Sequence, residues 1–255
     1  MTSSTEIVLF EPTSVPKANV IFREPVDLGV FPRHSINIVT PNMLELKAMH
    51  QAAQDSGYFD APEWWSILDS FKVTSKFRQG DLSFKPMYLT IDAEILVNEI
   101  ISRHKLTKAL DTIDPVLPDL IGEGTIQQAI ALLPYIPAIL VKLGVLGVLC
   151  VRLSPKDSEI SKVGAPMLRL EGVHADVIVR HYPGLKDQGI ISVSGAGYHP
   201  FPPKSNNSDT FCGVLLARLA AGDLIDDAVN TAQRAAVMSL SSFDAVSEEI
   251  RRLRP

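Results

Sequence analysis

Apolar runs rich in β-branched and aromatic residues recur along the chain, and each run ends at a proline, a glycine or a polar turn. This pattern predicts buried strands near residues 6–10, 36–40, 138–142, 147–152 and 176–181. The third and fourth runs are separated only by a short glycine-containing segment, which predicts a tight turn between them.

Helical periodicity begins at three positions along the chain. Apolar residues recur at helical spacing after Asn42, after Asp209 and after Ile225. Strands that alternate with helices are typical of the α/β class. We therefore predict an α/β fold with a mostly parallel sheet, on which these three helices pack.

Residues 58–134 show a less regular pattern than the rest of the chain. Short helical patterns surround Trp64 and lie between Ile91 and Leu110 and between Thr125 and Leu133, with polar or proline-rich segments between them. We therefore interpret this region as an insertion of helices and loops.

Composition limits the classes of function. The chain has 255 residues, of which 46% are hydrophobic, and this is enough for one substantial core. Its net charge of −5 disfavours a general nucleic-acid binder, because such proteins are usually basic. The two cysteines show no zinc spacing, the N terminus shows no signal-peptide pattern, and the apolar run at residues 138–151 is too short for a bilayer. We expect a cytoplasmic protein that binds neither nucleic acid nor membrane.

The clearest candidate for chemistry is a glycine turn, Gly195-Ala196-Gly197, with an aspartate, Asp209, that begins an apolar helix. Glycines allow the backbone to approach a phosphate closely, and consecutive N–H groups in such a turn can bind an anion. The start of a helix adds unpaired N–H groups. Residues 198–208 separate the two halves, and their polar, proline-rich composition predicts an inserted loop.

Asn42 and Glu45 follow a predicted strand and have two alternative interpretations. The Glu45 carboxylate is a hard oxygen ligand that can hold Mg²⁺ directly or through water. The same two residues are also the ones that a helix start requires, with Asn42 as N-cap and Glu45 at the third helical position.

Lys142, Gly144 and Gly147 form a second glycine-containing turn, between two predicted strands. The Lys142 ammonium either points at a phosphate or is only a charge at the edge of a strand. The sequence leaves both alternatives open.

Several of these patterns resemble one family. Joined across the inserted loop, the two halves read S-V-S-G-A-G-D-T-F-C-G, which resembles the C-terminal signature of the PfkB/ribokinase family of carbohydrate kinases. Asn42-x-x-Glu45 resembles the N-x-x-E motif of that family, and K-L-G-x-x-G from Lys142 resembles its turn beside the nucleotide phosphates. The segments FEPTSVPKA and V-R-H-Y-P resemble the pseudouridine-kinase branch. On this basis residues 6–255 are assigned to a single ribokinase-like domain.

The resemblance implies a three-layer α/β/α sandwich of the ribokinase type and a carbohydrate kinase activity. It implies ATP-dependent phosphorylation of a sugar or nucleoside hydroxyl with Mg²⁺, in which Asp209 is the base. In this interpretation the anion hole is shaped by Gly195, Ala196, Gly197 and Gly213, the nucleotide phosphates are bordered by Lys142, Gly144 and Gly147, and magnesium is organised by Asn42 and Glu45.

Two departures from the family pattern lower the expected activity. The strands and small lid with which family members begin are not found before residue 6, and the loop at residues 198–208 separates the base from the glycine turn. We therefore expect an N-terminally truncated, impaired kinase.

The alternative is a non-catalytic remnant, or a fragment of a bifunctional pseudouridine-5′-phosphate glycosidase/kinase, that acts as a nucleotide-binding or interaction module. The expected partners are ATP and a sugar or nucleoside, with a second copy of the chain or a missing N-terminal module as further possibilities.

Overall fold

A computed structural model describes residues 6–23, 27–70, 114–155, 167–170, 173–185, 207–241, 250 and 253. The chain divides into two compact units. The first comprises Met1–Leu143 and Leu149–His181, and the second comprises Gly144–Val148 and Tyr182–Pro255.

The strands of the described residues form a six-stranded sheet in the order β1-β4-β5-β6-β8-β7 and a two-stranded sheet, β2-β3. They are β1 (Leu9–Phe10), β2 (Gly29–Val30), β3 (Arg33–His34), β4 (Ile38–Val39), β5 (Ala138–Lys142), β6 (Gly147–Pro155), β7 (Met167–Leu170) and β8 (Ala175–Pro183).

Three neighbouring strands at one side of the large sheet run parallel. β1 pairs with β4 through Leu9 and Ile38, and β4 pairs with β5 through Val39 and Ile139. At the other side β7 and β8 are antiparallel. All five predicted strands are present, and the predicted α/β class is confirmed.

The helices of the described residues connect and flank these strands. They are α1 (Val15–Ala18), α2 (Val20–Arg23), α3 (Met43–Asp55), α4 (Pro62–Ser70), α5 (Leu117–Gly122), α6 (Thr125–Leu132), α7 (Asn207–Ala220) and α8 (Ile225–Ser241). The helices predicted after Asn42, Asp209 and Ile225 correspond to α3, α7 and α8.

The hairpin β2–β3 and the strand β7 are absent from the sequence-based prediction. β2 and β3 contain two residues each, too few to show the alternation that marks a strand. β7 contains four residues and pairs with β8 on one side only, at the edge of the sheet. Such short elements depend on their neighbours rather than on their own sequence pattern.

The core of the first unit is built around α3 and α6. α3 contacts α1, α6 and β5, and it buries Leu46, Met49 and Ala53 completely. In α6 almost every side chain is buried, including the polar Gln127. A helix that is buried on all sides belongs to a core, so the last part of the predicted insertion contributes to the centre of the first unit.

The predicted helix between Ile91 and Leu110 lies outside the described residues, as do residues 198–206 of the predicted inserted loop. α7 begins at Asn207, so the last two residues of that predicted loop lie in its first turn. Within the described ranges, none of the helices has the length and apolar character that crossing a membrane requires.

An aromatic cluster joins the end of α3 to α4. The Trp64 ring lies 4.9 Å from that of Phe59 and 4.5 Å from that of Trp65, and the Trp64 Nε1–H group donates to the Ala131 carbonyl at 2.7 Å. The indole of Trp64 therefore fastens α4 to α6 by a hydrogen bond as well as by packing.

His50 packs against this cluster in its neutral form. Its ring centre lies 5.0 Å from that of Phe59, and burial lowers the pKa of His50 from 6.5 to about 4. In the same region burial, with smaller contributions from Tyr58 and Glu63, raises the pKa of Tyr135 to about 12. Both groups are held in the uncharged state because the charged state would lose its hydration.

We expect the free energy of unfolding to fall as the pH drops from about 6.5 to about 4, because the unfolded chain protonates His50 in this range and the folded chain does not. The contribution is about 3 kcal/mol. It should be absent from His50→Gln, so urea unfolding of both proteins between pH 7 and pH 4 measures it as a difference. Parallel stability curves for the two proteins would contradict this account.

Candidate functional site

Polar side chains gather where the three parallel strands end. Glu11 follows β1, Thr40 follows β4, and Lys142 is the last residue of β5. Because parallel strands end at the same edge of a sheet, these residues belong to one edge of the first unit. In open α/β sheets this carboxyl edge is where ligands bind.

Glu11 joins the other two residues of this edge. Its Oε1 atom forms an ion pair with the Lys142 ammonium, and its Oε2 atom accepts a hydrogen bond from the Thr40 hydroxyl. Thr40 is completely buried, whereas the side chains of Lys142 and Glu11 are 20% and 16% exposed. The ion pair is thus shielded from water without being sealed from a ligand.

Asn42 and Glu45 form a complete capping box at the start of α3. The Asn42 side chain accepts from the Glu45 N–H group at 2.9 Å, and the Glu45 Oε2 atom accepts from the Asn42 N–H group at 2.8 Å. Asn42 is exposed, and Glu45 is 4% exposed. The helix-start interpretation is confirmed, and the role of both residues toward magnesium stays a prediction.

The backbone brings Lys142 beside this cap. The Lys142 N–H group donates to the Pro41 carbonyl at 2.8 Å, and Asn42 and Lys142 form an isolated parallel bridge. Three predicted site residues, Asn42, Glu45 and Lys142, therefore share one edge of the first unit. We call this set, together with Glu11 and Thr40, the carboxyl-edge cluster.

The carboxyl-edge cluster offers an ammonium group, two carboxylates and the N terminus of a helix. This combination suits a phosphate that carries a divalent cation, because it provides charges of both signs. Among the described residues, no group of three or more histidine, cysteine, aspartate or glutamate side chains could hold a metal ion. Mg²⁺ would fit here through one or two carboxylates, with water and phosphate oxygens as its other ligands.

The second unit places Asp209 and Gly213 on one face of α7. Asp209 lies in the first turn and is exposed, and Gly213 is exposed one turn later. A Cβ atom at Gly213 would meet no atom within 4 Å. The carboxylate of Asp209 is thus accessible to a ligand, and the helix surface beside it is open.

Gly144 and Gly147, also in the second unit, differ in what their surroundings require. Both have left-handed backbones, with φ of 63° and 98°. A Cβ atom at Gly144 would enter open space, whereas at Gly147 it would lie 2.1 Å from the Tyr182 carbonyl oxygen and 2.5 Å from the Gly184 nitrogen. Gly147 is therefore required for close backbone packing whether or not a phosphate binds nearby.

Gly195, Ala196 and Gly197 lie outside the described residues.

A separate polar cleft in the second unit contains none of the predicted site residues. Its lining consists of Arg218, Asp223, Asp227, Asn230, Thr231 and Arg234. Arg218 and Asp223 of this lining form an ion pair with each other.

Glu11 and Thr40 are the members of the carboxyl-edge cluster that the sequence-based prediction missed. Glu11 lies in the segment FEPTSVPKA, and Thr40 ends a predicted strand. The signal that could have identified both is positional, since each is the first residue after a parallel strand.

Comparison with known proteins gives one extensive sequence similarity. No family model matches the chain. The chain is similar to the pseudouridine-metabolizing bifunctional protein of Schizosaccharomyces pombe, with 32% identity over 252 residues that cover 98% of this chain. The chain spans only 27% of the length of that protein. The predicted resemblance to the pseudouridine branch is thereby confirmed.

Two solved structures are also similar. Ribokinase from Thermotoga maritima matches 98% of this chain and 49% of its own, with 16% identity and a TM-score of 0.43. Ribokinase from Cryptococcus neoformans var. grubii serotype A in complex with ADP matches 99% of this chain and 51% of its own, with 13% identity and a TM-score of 0.47.

We expect Asn42→Ala to lower the free energy of unfolding by about 1 kcal/mol, because α3 loses its cap. Glu45→Gln should lower it by less than about 0.5 kcal/mol, because a glutamine oxygen can also accept from the Asn42 N–H group. Urea unfolding measures both. A larger loss in Glu45→Gln than in Asn42→Ala would mean that the charge of Glu45, rather than its hydrogen bond, stabilises this edge.

Proposed function

We propose that the chain, as a relative of a pseudouridine-metabolising protein, acts in the ATP-dependent phosphorylation of a sugar or nucleoside hydroxyl. The observation that carries this proposal is the carboxyl-edge cluster, in which Asn42, Glu45 and Lys142 lie together at the edge where α/β sheets bind ligands. The 32% identity to the Schizosaccharomyces pombe protein supports the pseudouridine-kinase-like form of the proposal.

In this proposal the first unit binds the metal and phosphate part of the nucleotide. Lys142 supplies positive charge to the phosphates, and Asn42 and Glu45 orient the hydrated magnesium ion. When held by these residues, Mg²⁺ would neutralise charge on the phosphate oxygens. The partial burial of Lys142 strengthens its attraction for phosphate, because a charge out of bulk water is less screened.

For the second unit we propose the roles of a base and of turns that contact phosphate. Asp209 is exposed and accepts the proton of the acceptor hydroxyl, whose oxygen forms a bond to the γ-phosphorus as the bond to the bridging oxygen of ADP breaks. Gly213 leaves the helix surface beside Asp209 open. The roles of Gly144 and Gly147 beside the phosphates, and of residues 195–197 as the anion hole, complete the proposal.

Binding of the nucleotide is the first test. We expect saturating Mg-ATP to raise the melting temperature by a few degrees, since a ligand that binds only the folded state stabilises it. In Glu45→Gln, the rise in melting temperature should lose the part that depends on Mg²⁺. The melting temperature without nucleotide should stay close to that of the unaltered chain. Glu63→Gln, which changes an exposed carboxylate on α4, is the matched control and should behave like the unaltered chain. The absence of a shift at millimolar Mg-ATP would contradict the proposal.

A second candidate function, a nucleotide-binding module without catalysis, is favoured by residues 198–208, which separate Gly197 from Asp209 in the sequence. The base and the anion hole must both reach the reacting groups within roughly 3 Å. A loop between them makes this arrangement difficult unless its ends lie close together. Mg-ATP would then bind, and phosphoryl transfer would be slow or absent.

Deletion of residues 198–208 separates the two functions. We expect it to tighten Mg-ATP binding, because the glycine turn would again directly precede Asp209. Transfer to pseudouridine or ribose should then be abolished by Asp209→Asn. Calorimetry and an ADP-release assay measure the two effects. Phosphorylation at an ordinary kinase rate by the unaltered chain would contradict the expected impairment.

A further inference from the structure

We infer that Glu11 is a positioning residue that holds the Lys142 ammonium at the carboxyl edge of the sheet, and that Thr40 orients the Glu11 carboxylate. The consequence for nucleotide binding rests on the proposed function. Within the first unit, Glu11 forms an ion pair with Lys142 and accepts a hydrogen bond from the Thr40 hydroxyl.

The arrangement of strands makes Glu11 and Lys142 meet across a third strand. β1 and β5 lie on opposite sides of β4, so their backbones are about 9.6 Å apart, which is twice the spacing of neighbouring strands. Thr40, the residue after β4, lies between them in the order of the sheet. The Thr40 N–H group donates to the Phe10 carbonyl at 3.2 Å, which fixes the end of β4 beside the end of β1.

An ion-pair partner restricts the conformations of a lysine side chain before any ligand binds. The long stem of lysine has many rotamers, and ordering it costs conformational entropy. An ion pair that already holds the ammonium reduces the part of this cost that a ligand must offset. An ammonium has three donors, so its contact with Glu11 is compatible with a contact to phosphate.

The carboxylate of Glu11 is itself held in place. One of its oxygens meets Lys142 and the other accepts from the buried Thr40 hydroxyl, so both oxygens have partners. Removing the Thr40 hydroxyl should loosen Glu11 and, through it, Lys142. Substitution of Glu11 should therefore disturb the Lys142 ammonium more than substitution of Thr40, which acts on Lys142 only through Glu11.

Covalent labelling of amines tests the inference without any nucleotide. We expect acetic anhydride to label Lys142 about five-fold faster in Glu11→Gln than in the unaltered chain, the factor that corresponds to an ion pair of about 1 kcal/mol. Lys17, which donates to Thr13 at 3.0 Å, is the internal control and should be labelled at one rate in both proteins. Asp176→Asn, which removes another paired carboxylate of the same sheet, should leave Lys142 unaffected.

Nucleotide binding gives the second readout. We expect Glu11→Gln to weaken Mg-ATP about five-fold and to leave adenosine unchanged, a difference that a general loss of structure would not produce. Thr40→Val should show the same selectivity with a smaller effect. Thr40→Ser keeps the hydroxyl and should match the unaltered chain, and Glu11→Asp should recover part of the loss.

The outcomes separate this inference from the proposed function. Unchanged labelling of Lys142 in Glu11→Gln, or tighter Mg-ATP binding by that variant, would overturn the positioning role. Faster labelling in a chain that binds no Mg-ATP would support the positioning of Lys142 and reject the proposed function. Melting curves of Glu11→Gln and Thr40→Val, beside those of Glu11→Asp and Thr40→Ser, establish that the comparison is made between folded proteins.

Discussion

The parallel pairing of β1, β4 and β5 is the constraint on which the first unit depends. Hydrogen bonds between their backbones align the ends of all three strands at one edge. Glu11, Thr40 and Lys142 are distant in sequence, and this alignment alone brings their side chains within bonding distance. The same edge receives the start of α3, whose cap adds Asn42 and Glu45. The parallel pairing of β1, β4 and β5 thus explains why the carboxyl-edge cluster forms at this edge of the sheet.

The elements with strong local patterns could be predicted from the sequence, and the contacts between distant elements could not. The apolar run of β5 and the Asn42–Glu45 pair at the start of α3 are local signals, and both gave the correct element. The hairpin β2–β3 contains too few residues for a pattern and depends on its packing. Glu11 has no motif of its own, because its importance comes from the end of β1 and from a lysine 131 positions away.

Glu45 illustrates why a motif can satisfy two interpretations at once. A helix start and a magnesium ion both require oxygen atoms at this place, and the capping box employs one oxygen of Glu45. Gly147 is a similar case, since close packing against Tyr182 and Gly184 already requires a glycine there. At such positions the residue type alone cannot reveal a ligand, and only a substitution that preserves the structural role can.

The aromatic cluster of α4 has a consequence for spectroscopy. The two tryptophans of the chain are Trp64 and Trp65, and both lie in the first unit. Intrinsic tryptophan fluorescence therefore reports on the first unit alone, whereas far-ultraviolet circular dichroism includes the long helices α7 and α8 of the second. Coincident transitions by the two signals would mean that the units unfold cooperatively, and separate transitions would give each unit a stability of its own.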